Sequence, residues 1–279
     1  MQVKTVLLIE GCVNLLIALC KLSVGFMTNS TAIIADGVHS FTDVTNNIVA
    51  WMAVTISETP ADRGHPYGHQ KFEQLAIFVL ATLLVVVAFE ISLSAFQRIG
   101  EPVEHSFLGL IILIAALIIN TILTLWERHW AKRLNSDILV ADATHTLSDV
   151  LTSIAVIVGW QLASRGYYWI DAVFAIIISS IIFYLAFKLF QSAIPILVDS
   201  SEVDAHKMTD AIMNIDAVKE VRRVRSRSSG KYRIADVVVT VDPNMSTADS
   251  HQVADSIEHL LATKFHIEDA VVHIEPFEK

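Results

Sequence analysis

The sequence predicts an α-helical membrane protein with six transmembrane helices, followed by a small C-terminal α/β domain. Of the 279 residues, 53% are hydrophobic and only 18% are charged, and the mean hydropathy is +0.54. A typical soluble domain carries about 25% charged residues. After about residue 199 the apolar runs become short, and residues 199–279 hold 10 Lys or Arg and 15 Asp or Glu. We therefore expect a membrane domain at 1–198 and a soluble domain at 199–279.

Six apolar stretches have the length of membrane-crossing helices, which need about 20 residues each. The first begins close to the N-terminus and lacks a small-residue cleavage site, which favours a retained helix over a signal peptide. The two cysteines share this stretch and indicate neither a disulfide framework nor a thiolate site. The stretches are predicted near 5–27, 31–56, 70–97, 106–130, 137–163 and 169–194.

The soluble domain is predicted to have the order helix, strand, strand, helix, strand. Ser246 or Thr247 is the expected N-cap of its long helix, because Ser and Thr side chains accept hydrogen bonds from the first turn. Valine-rich and alternating segments mark the strands. The elements are expected near 203–214, 217–227, 234–241, 247–265 and 270–274.

Charges in the short loops predict the orientation. Six Lys or Arg residues lie in loops on the side of both termini, and two lie on the other side. The positive-inside rule then places both termini and the soluble domain in the cytoplasm, in a multi-pass protein of the cell inner membrane. The net charge of -9 gives no support to nucleic-acid binding.

A ten-residue pattern occurs twice within the predicted membrane helices. Residues 35–44 read ADGVHSFTDV and residues 141–150 read ADATHTLSDV. Each copy has Asp, then His three residues later, then Asp four residues after the His. Ionisable groups at membrane depth are costly and persist where they face a cavity, a partner or an ion. The two copies therefore predict a buried metal site.

The spacing places the last two polar residues of each copy on one helix face. Residues four apart are neighbours on a helix, so His39 faces the same way as Asp43, and His145 the same way as Asp149. Four nitrogen and oxygen ligands suit a tetrahedral divalent ion, with zinc the first choice. The alternative is that these side chains only form hydrogen bonds between helices, as polar residues in membranes often do.

The loop between the second and third helices carries a second group of ligand-type residues. Asp62, His65 and His69 are separated by three and four residues. Their spacing predicts a second metal site at the cytoplasmic surface. The alternative is a solvated loop, in which polar residues are ordinary.

The paired motif and the segment HPYGHQKFE at 65–73 resemble those of the cation diffusion facilitators, a family of divalent-metal/proton antiporters. The resemblance covers nearly the whole chain. It implies a homodimer whose cytoplasmic αββαβ domain is metallochaperone-like. It also implies metal efflux by proton antiport, with alternating access at a quartet formed by His39, Asp43, His145 and Asp149. The His at position 39 favours Zn²⁺ over cadmium, and Fe²⁺, Mn²⁺ or Co²⁺ are the alternative substrates.

The resemblance also implies metal ligands in the soluble domain. Family members use a cluster here that stabilises the dimer, and the matching residues are His251, His273 and Glu275. Val238 stands where relatives have a ligating His, and Asp236 is the expected substitute because it shares that strand face. The alternative is that these are solvated surface side chains.

A charge interlock between protomers is the last implied feature. Its residues are Lys71, at the start of the third helix, and Asp199, at the end of the sixth. The alternative is a pair of separate interfacial charges, since exposed ion pairs contribute only about 0–1 kcal/mol.

Two other functions compete with transport. An intramembrane metal-dependent hydrolase needs an open coordination position, which a filled tetrahedral quartet does not leave, and the sequence lacks His-Glu-x-x-His. A membrane metal sensor needs its helices only as an anchor, which would not require ionisable residues on two of them.

Overall fold

The structure, a computed structural model, describes residues 2–28, 31–97, 107–163, 168–201, 203–230 and 232–278. For some residues in these ranges, including His39, the structure describes the backbone and not the side chain. The chain forms two compact units, Met1–Ala193 and Ile194–Lys279.

The first unit is built from six long helices, and each coincides with one of the six predicted stretches. Among the described residues, α1, α3 and α6 are long and apolar enough to cross a membrane. The other three contain more polar positions, including both copies of the repeated pattern, so their crossing of the membrane stays a prediction. The helices are α1 Val3–Thr28, α2 Thr31–Ser57, α3 Lys71–Gln97, α4 Phe107–Leu134, α5 Asp137–Ala163 and α6 Tyr168–Leu197.

Apolar packing joins the helices of the first unit. Their large, fully buried side chains come from α1, α3, α5 and α6, and they include Leu7, Ile77, Leu80, Ile138 and Ile182. Many apolar side chains on the same helices remain exposed, as expected of surfaces that face lipid.

The α1 and α2 helices approach each other closely at Gly37. A Cβ atom at this position would lie 3.0 Å from the backbone nitrogen of Leu22 and 2.9 Å from its side chain. Contacts this short with backbone cannot be relieved by a rotamer change, so the packing of α1 on α2 requires glycine here.

The second unit has the predicted αββαβ order. Its elements are α7 Ala205–Met213, β1 Glu220–Ser228, β2 Arg233–Val241, α8 Thr247–Phe265 and β3 Asp269–Pro276. The sheet order is β1-β2-β3, with β1 antiparallel to β2 and β2 parallel to β3. The parallel pair needs a crossover connection, which α8 supplies. The hydroxyl of Ser246 accepts a hydrogen bond from the backbone N–H of Asp249 at 3.1 Å, which confirms the predicted N-cap.

One face of the sheet forms the core of this unit. Val237 and Val239 of β2 pack with Ile257 and Leu261 of α8, and all four side chains are buried. Complete burial of such a side chain contributes about 1.5–3 kcal/mol. Because strand residues alternate, the even-numbered residues of β2 lie on the opposite face.

Candidate metal centre

Helices α2 and α5 bring three residues of the predicted quartet together. Asp43, His145 and Asp149 each offer a ligand atom, and these atoms lie within 4.8 Å of one another. The Nε2 atom of His145 is 3.3 Å from the Oδ1 atom of Asp43. His145 is 6% exposed, so this cluster is largely closed to solvent. The backbone of His39 lies in α2, one turn before Asp43, and its side chain is outside the described residues.

The distance between Asp43 and His145 fits two ligands of one metal ion. Zinc binds imidazole nitrogen at about 2.0–2.1 Å and carboxylate oxygen at about 2.0–2.2 Å, so tetrahedral geometry separates two such ligands by about 3.4 Å. Octahedral ligands at about 2.1 Å are only about 3.0 Å apart. The 3.3 Å between these two atoms is within a few tenths of an ångström of both separations. The cluster is therefore suited to a divalent ion with little rearrangement.

Asn46 is a further neighbour of His145. Its Nδ2 atom is 3.1 Å from His145 Nε2. The amide can donate to this nitrogen only when the nitrogen is unprotonated, which is also the form that binds a metal, whereas the protonated nitrogen would donate to Asp43. The Nδ1 atom of His145 is buried and has no hydrogen-bond partner among the described residues. A metal ion on Nε2 would displace the Asn46 amide.

A chain of hydrogen bonds links this site to α1. Asn14 donates to Asn47 Oδ1 at 2.8 Å, and Asn47 donates to Asp142 Oδ2 at 2.9 Å. Asp142 is the first Asp of the repeated pattern in α5 and is 1% exposed. Our sequence analysis did not identify the asparagines. Their position in apolar helices was the available signal, because amides at membrane depth form hydrogen bonds between helices.

Asp142 also belongs to a second cluster, which we call the acidic triad: Glu10 of α1, Glu127 of α4 and Asp142 of α5. One oxygen from each lies within 4.8 Å of the others, and all three residues are buried. Thr146 is 3.2 Å from Glu10 Oε1 and 3.4 Å from Glu127 Oε2. Only tertiary contact reveals this triad, because its members come from three helices.

A small polar cavity of ≈ 10 Å³ connects the two clusters. A volume of this size is close to that of one water-sized sphere. The cavity is lined by Glu10, Asn14, Asp43, Asn47, Asn120, Asp142, His145, Thr146 and Asp149.

The three residues of the predicted loop site also lie close together. Asp62 lies 3.4 Å from His65 Nδ1 and 3.6 Å from His69 Nε2, and the two imidazole rings are 4.2 Å apart. The backbone N–H groups of His65 and Gly64 donate to Asp62 Oδ1, and these bonds lower the pKa of the Asp62 carboxyl. Gly68 has a φ of 86°, which bends the chain between the histidines. The three side chains can bind a divalent ion near the end of α2.

The ligand-type residues of the second unit are only partly brought together. Asp236, His273 and Glu275 lie on the sheet face opposite α8, because Val238 pairs with His273 in the register of β2 and β3. His273 Nε2 is 3.5 Å from Glu275 Oε1, while Glu275 also binds Arg222 at 2.7 Å. Asp236 is 3.8 Å from Arg225.

His251 lies on α8 and therefore does not join the cluster on the other face of the sheet. Its imidazole is 3.7 Å from Asp255 and is largely exposed. Among the described residues of this unit, no group of three ligand-type side chains converges within one chain. The metal site predicted here stays a prediction.

The predicted charge interlock is also untested. Lys71 begins α3, and Asp199 follows α6 with a φ of 55°. The two residues belong to different units.

The comparisons with known proteins agree with this organisation. The model of the cation efflux transmembrane domain matches residues 7–198, and that of the cation efflux protein cytoplasmic domain matches residues 200–277. The chain is 31% identical to an uncharacterized transporter of Methanocaldococcus jannaschii, over 98% of each chain. It is 28% identical to the manganese efflux system protein MneP of Bacillus subtilis, over 98% of this chain and 96% of the relative.

A further relative is the cation-efflux pump FieF of Cronobacter sakazakii, which is 27% identical over 94% of this chain and 88% of the relative. The family resemblance seen in the sequence is thus confirmed over nearly the whole chain. The chain belongs to the cation efflux family, whose members transport divalent cations and are not enzymes.

Proposed function

We propose that this protein exports Zn²⁺ from the cytoplasm in exchange for protons, through a site formed by His39, Asp43, His145 and Asp149. The observation that carries the proposal is the convergence of Asp43, His145 and Asp149, with ligand atoms within 4.8 Å of one another, inside a helical membrane domain. Membership of the cation efflux family supports the class of reaction.

Charge balance explains how the site would accept a divalent ion. The carboxylates of Asp43 and Asp149 give the empty site a charge of about -2, and a divalent ion brings this close to zero, which reduces the penalty of burying charge. Imidazole must be unprotonated to bind a metal. Protons and metal therefore compete for His145 and His39. If the site opens alternately to each side of the membrane, an inward proton gradient drives metal outward.

Zinc is the favoured substrate because of the ligand set. Two imidazoles and two carboxylates suit tetrahedral zinc. Manganese is the second candidate, because a relative that matches almost the full chain is named for manganese efflux. Ferrous iron and cobalt accept the same ligand types.

We infer that the transporter works as a homodimer with both termini in the cytoplasm. The match to the cytoplasmic domain of cation efflux proteins supports dimerisation through residues 200–277. Metal at a site shared between the soluble domains would favour the associated state by linkage. Lys71 and Asp199 are the proposed interlock of the two protomers.

Flux into proteoliposomes with an imposed pH gradient tests the proposed transport. The intact protein is compared with Asp149→Ala and with Asp210→Asn, which changes an exposed carboxylate of α7. We expect proton-driven zinc movement in the intact protein and in Asp210→Asn, and its loss in Asp149→Ala. Zinc flux that ignores the pH gradient would contradict antiport. Transport of Mn²⁺ or Fe²⁺ but not of Zn²⁺ would contradict zinc as the substrate, while the proposed transport site would stand.

Deletion of residues 200–279 tests the role of the soluble domain. We expect the truncated protein to lose more transport than zinc affinity at the membrane site, because that site is assembled entirely within α2 and α5. Equal loss of both would mean that the truncated protein has unfolded, whereas unchanged transport in the truncated protein would contradict a regulatory role for the domain.

A further inference from the structure

We propose that the acidic triad of Glu10, Glu127 and Asp142 is a second cation site, distinct from the proposed transport site, and that it binds an oxygen-preferring divalent ion such as Mn²⁺. The inference goes beyond the proposed function, because none of these residues belongs to the quartet. It stands on the packing of α1, α4 and α5 around a buried polar volume.

The triad concentrates negative charge where water is scarce. Glu10 and Glu127 are 0% exposed and Asp142 is 1% exposed, yet one oxygen from each lies within 4.8 Å of the others. Among the described residues that line the adjoining cavity there is no Lys or Arg. Carboxylates this close in a low-dielectric interior need a cation or protons to offset their repulsion.

Two oxygens of the triad are available to a ligand. Glu10 Oε2 and Glu127 Oε1 are buried and receive no hydrogen bond from a hydroxyl or N–H group of the described residues, so a cation or a proton shared between the carboxyl groups must satisfy them. A buried polar atom without a partner is uncommon in folded proteins and calls for an explanation such as a bound ion or water. Glu10 and Asp142 also line the ≈ 10 Å³ cavity. A cation held between the three carboxyl groups would satisfy both of these oxygens.

The donor atoms determine which ion fits. The triad offers carboxylate oxygens, and the Thr146 hydroxyl lies within 3.4 Å of both glutamates, so the set contains only oxygen. Hard ions such as Mg²⁺, Ca²⁺ and Mn²⁺ prefer oxygen ligands, whereas imidazole favours zinc and later transition metals. The neighbouring cluster differs because it includes the nitrogen of His145. The two sites therefore prefer different ions.

The two sites are also physically coupled. Asp142 accepts a hydrogen bond from Asn47, and Asp142 lies one helical turn from His145 in α5. The same cavity is lined by Glu10 of the triad and by Asp43 of the proposed transport site. An ion at the triad would hold α1 and α4 against α5 beside the transport site. It would act as a resident structural ion, or it would move together with the substrate.

Mn²⁺ binding to the full-length protein in detergent tests this site. Equilibrium dialysis counts the bound ions, and electron spin-echo spectroscopy counts those coupled to imidazole nitrogen. The variants are Glu10→Gln and Glu127→Gln, which keep the shape of the side chain and remove its charge. Glu90→Gln is the matched control, because it changes an exposed carboxylate of α3.

We expect each triad variant to lose about one Mn²⁺ per chain without nitrogen coupling, and to keep every nitrogen-coupled ion. Glu90→Gln should lose none. An unchanged count in the triad variants would overturn the proposal and would mean that protons neutralise the carboxylates. Loss of nitrogen-coupled ions would also overturn it, because the carboxylates would then serve the transport site. If a variant fails to fold, the unmodified protein still tests the proposal. The proposal requires that the unmodified protein bind at least one Mn²⁺ that is not coupled to nitrogen, and its absence would overturn the proposal.

Discussion

Replacing Asp43 with Asn separates the metal-binding role of this residue from any structural role. Asn has nearly the same shape and keeps an oxygen that can accept a hydrogen bond, so α2 and α5 should pack as before. The change removes one negative charge and one strong ligand at 3.3 Å from His145 Nε2. The expected result is a folded protein whose transport site binds zinc weakly.

The magnitude follows from the burial of the cluster. His145 is 6% exposed and the Asp43 side chain is 17% exposed, so solvent replaces the lost charge only in part. Removing one partner from a buried ionic contact costs roughly 3–5 kcal/mol. At about 1.4 kcal/mol for each factor of ten, zinc affinity should fall between about 10² and about 4 × 10³-fold.

Competition with a chromogenic chelator measures this affinity in the intact protein, in Asp43→Asn and in the surface control Asp210→Asn. The affinity assay is run alongside thermal unfolding of the metal-free proteins, which should show that both variants are folded. A fall of less than about tenfold in Asp43→Asn, with folding intact, would refute the view that Asp43 is a direct ligand. A similar fall in Asp210→Asn would show that the assay does not report on the membrane site.

Three further predictions concern the loop and the soluble domain. Because the pKa of Asp62 is lowered, this carboxylate stabilises the loop above its ordinary pKa of about 3.9, and the effect is lost only as pH falls through the lowered value. Asp62→Asn should therefore weaken zinc binding to the whole protein by a similar factor at about pH 5 and at about pH 7, because the Asp62 carboxyl is ionised at both pH values. A factor that differs between the two pH values would contradict this. Gly68→Ala should weaken metal binding at the loop site by about 1–2 kcal/mol, because a φ of 86° is unfavourable for alanine. Gly64→Ala is the control, since Gly64 does not have a positive φ. Equal effects of the two substitutions would show that the backbone conformation of Gly68 is not the cause. Leu261→Ala should destabilise the soluble domain by about 2–5 kcal/mol in thermal unfolding, and the exposed Met213→Ala by much less; similar shifts would argue against the observed core.

The helices and strands were predictable because their signals are local. Each of the six long helices coincides with an apolar stretch, and the long helix of the soluble domain begins after Ser246 as its capping chemistry indicated. Apolar length and capping residues act within a few turns of the chain, so they can be read without knowing what packs against them.

The candidate site was predictable only in part. The repeated pattern identified Asp43, His145 and Asp149, because a His and an Asp four residues apart must share a helix face. The pattern did not identify Asn46, which lies 3.1 Å from His145. Its contact depends on how α2 is rotated against α5, and no local signal encodes that rotation.

The sequence by itself determined the class of this protein, the order of its elements and the chemical type of its principal ligands. Hydropathy, helical spacing and paired motifs are properties of short segments, and they carry this information directly. Tertiary structure decided which segments meet. It brought Glu10, Glu127 and Asp142 into one buried triad from three helices, and it placed His251 on the opposite side of the sheet from His273. Such convergence arises from side-chain packing between elements that are distant in sequence. The residues of any one segment therefore do not show which other segments it will meet.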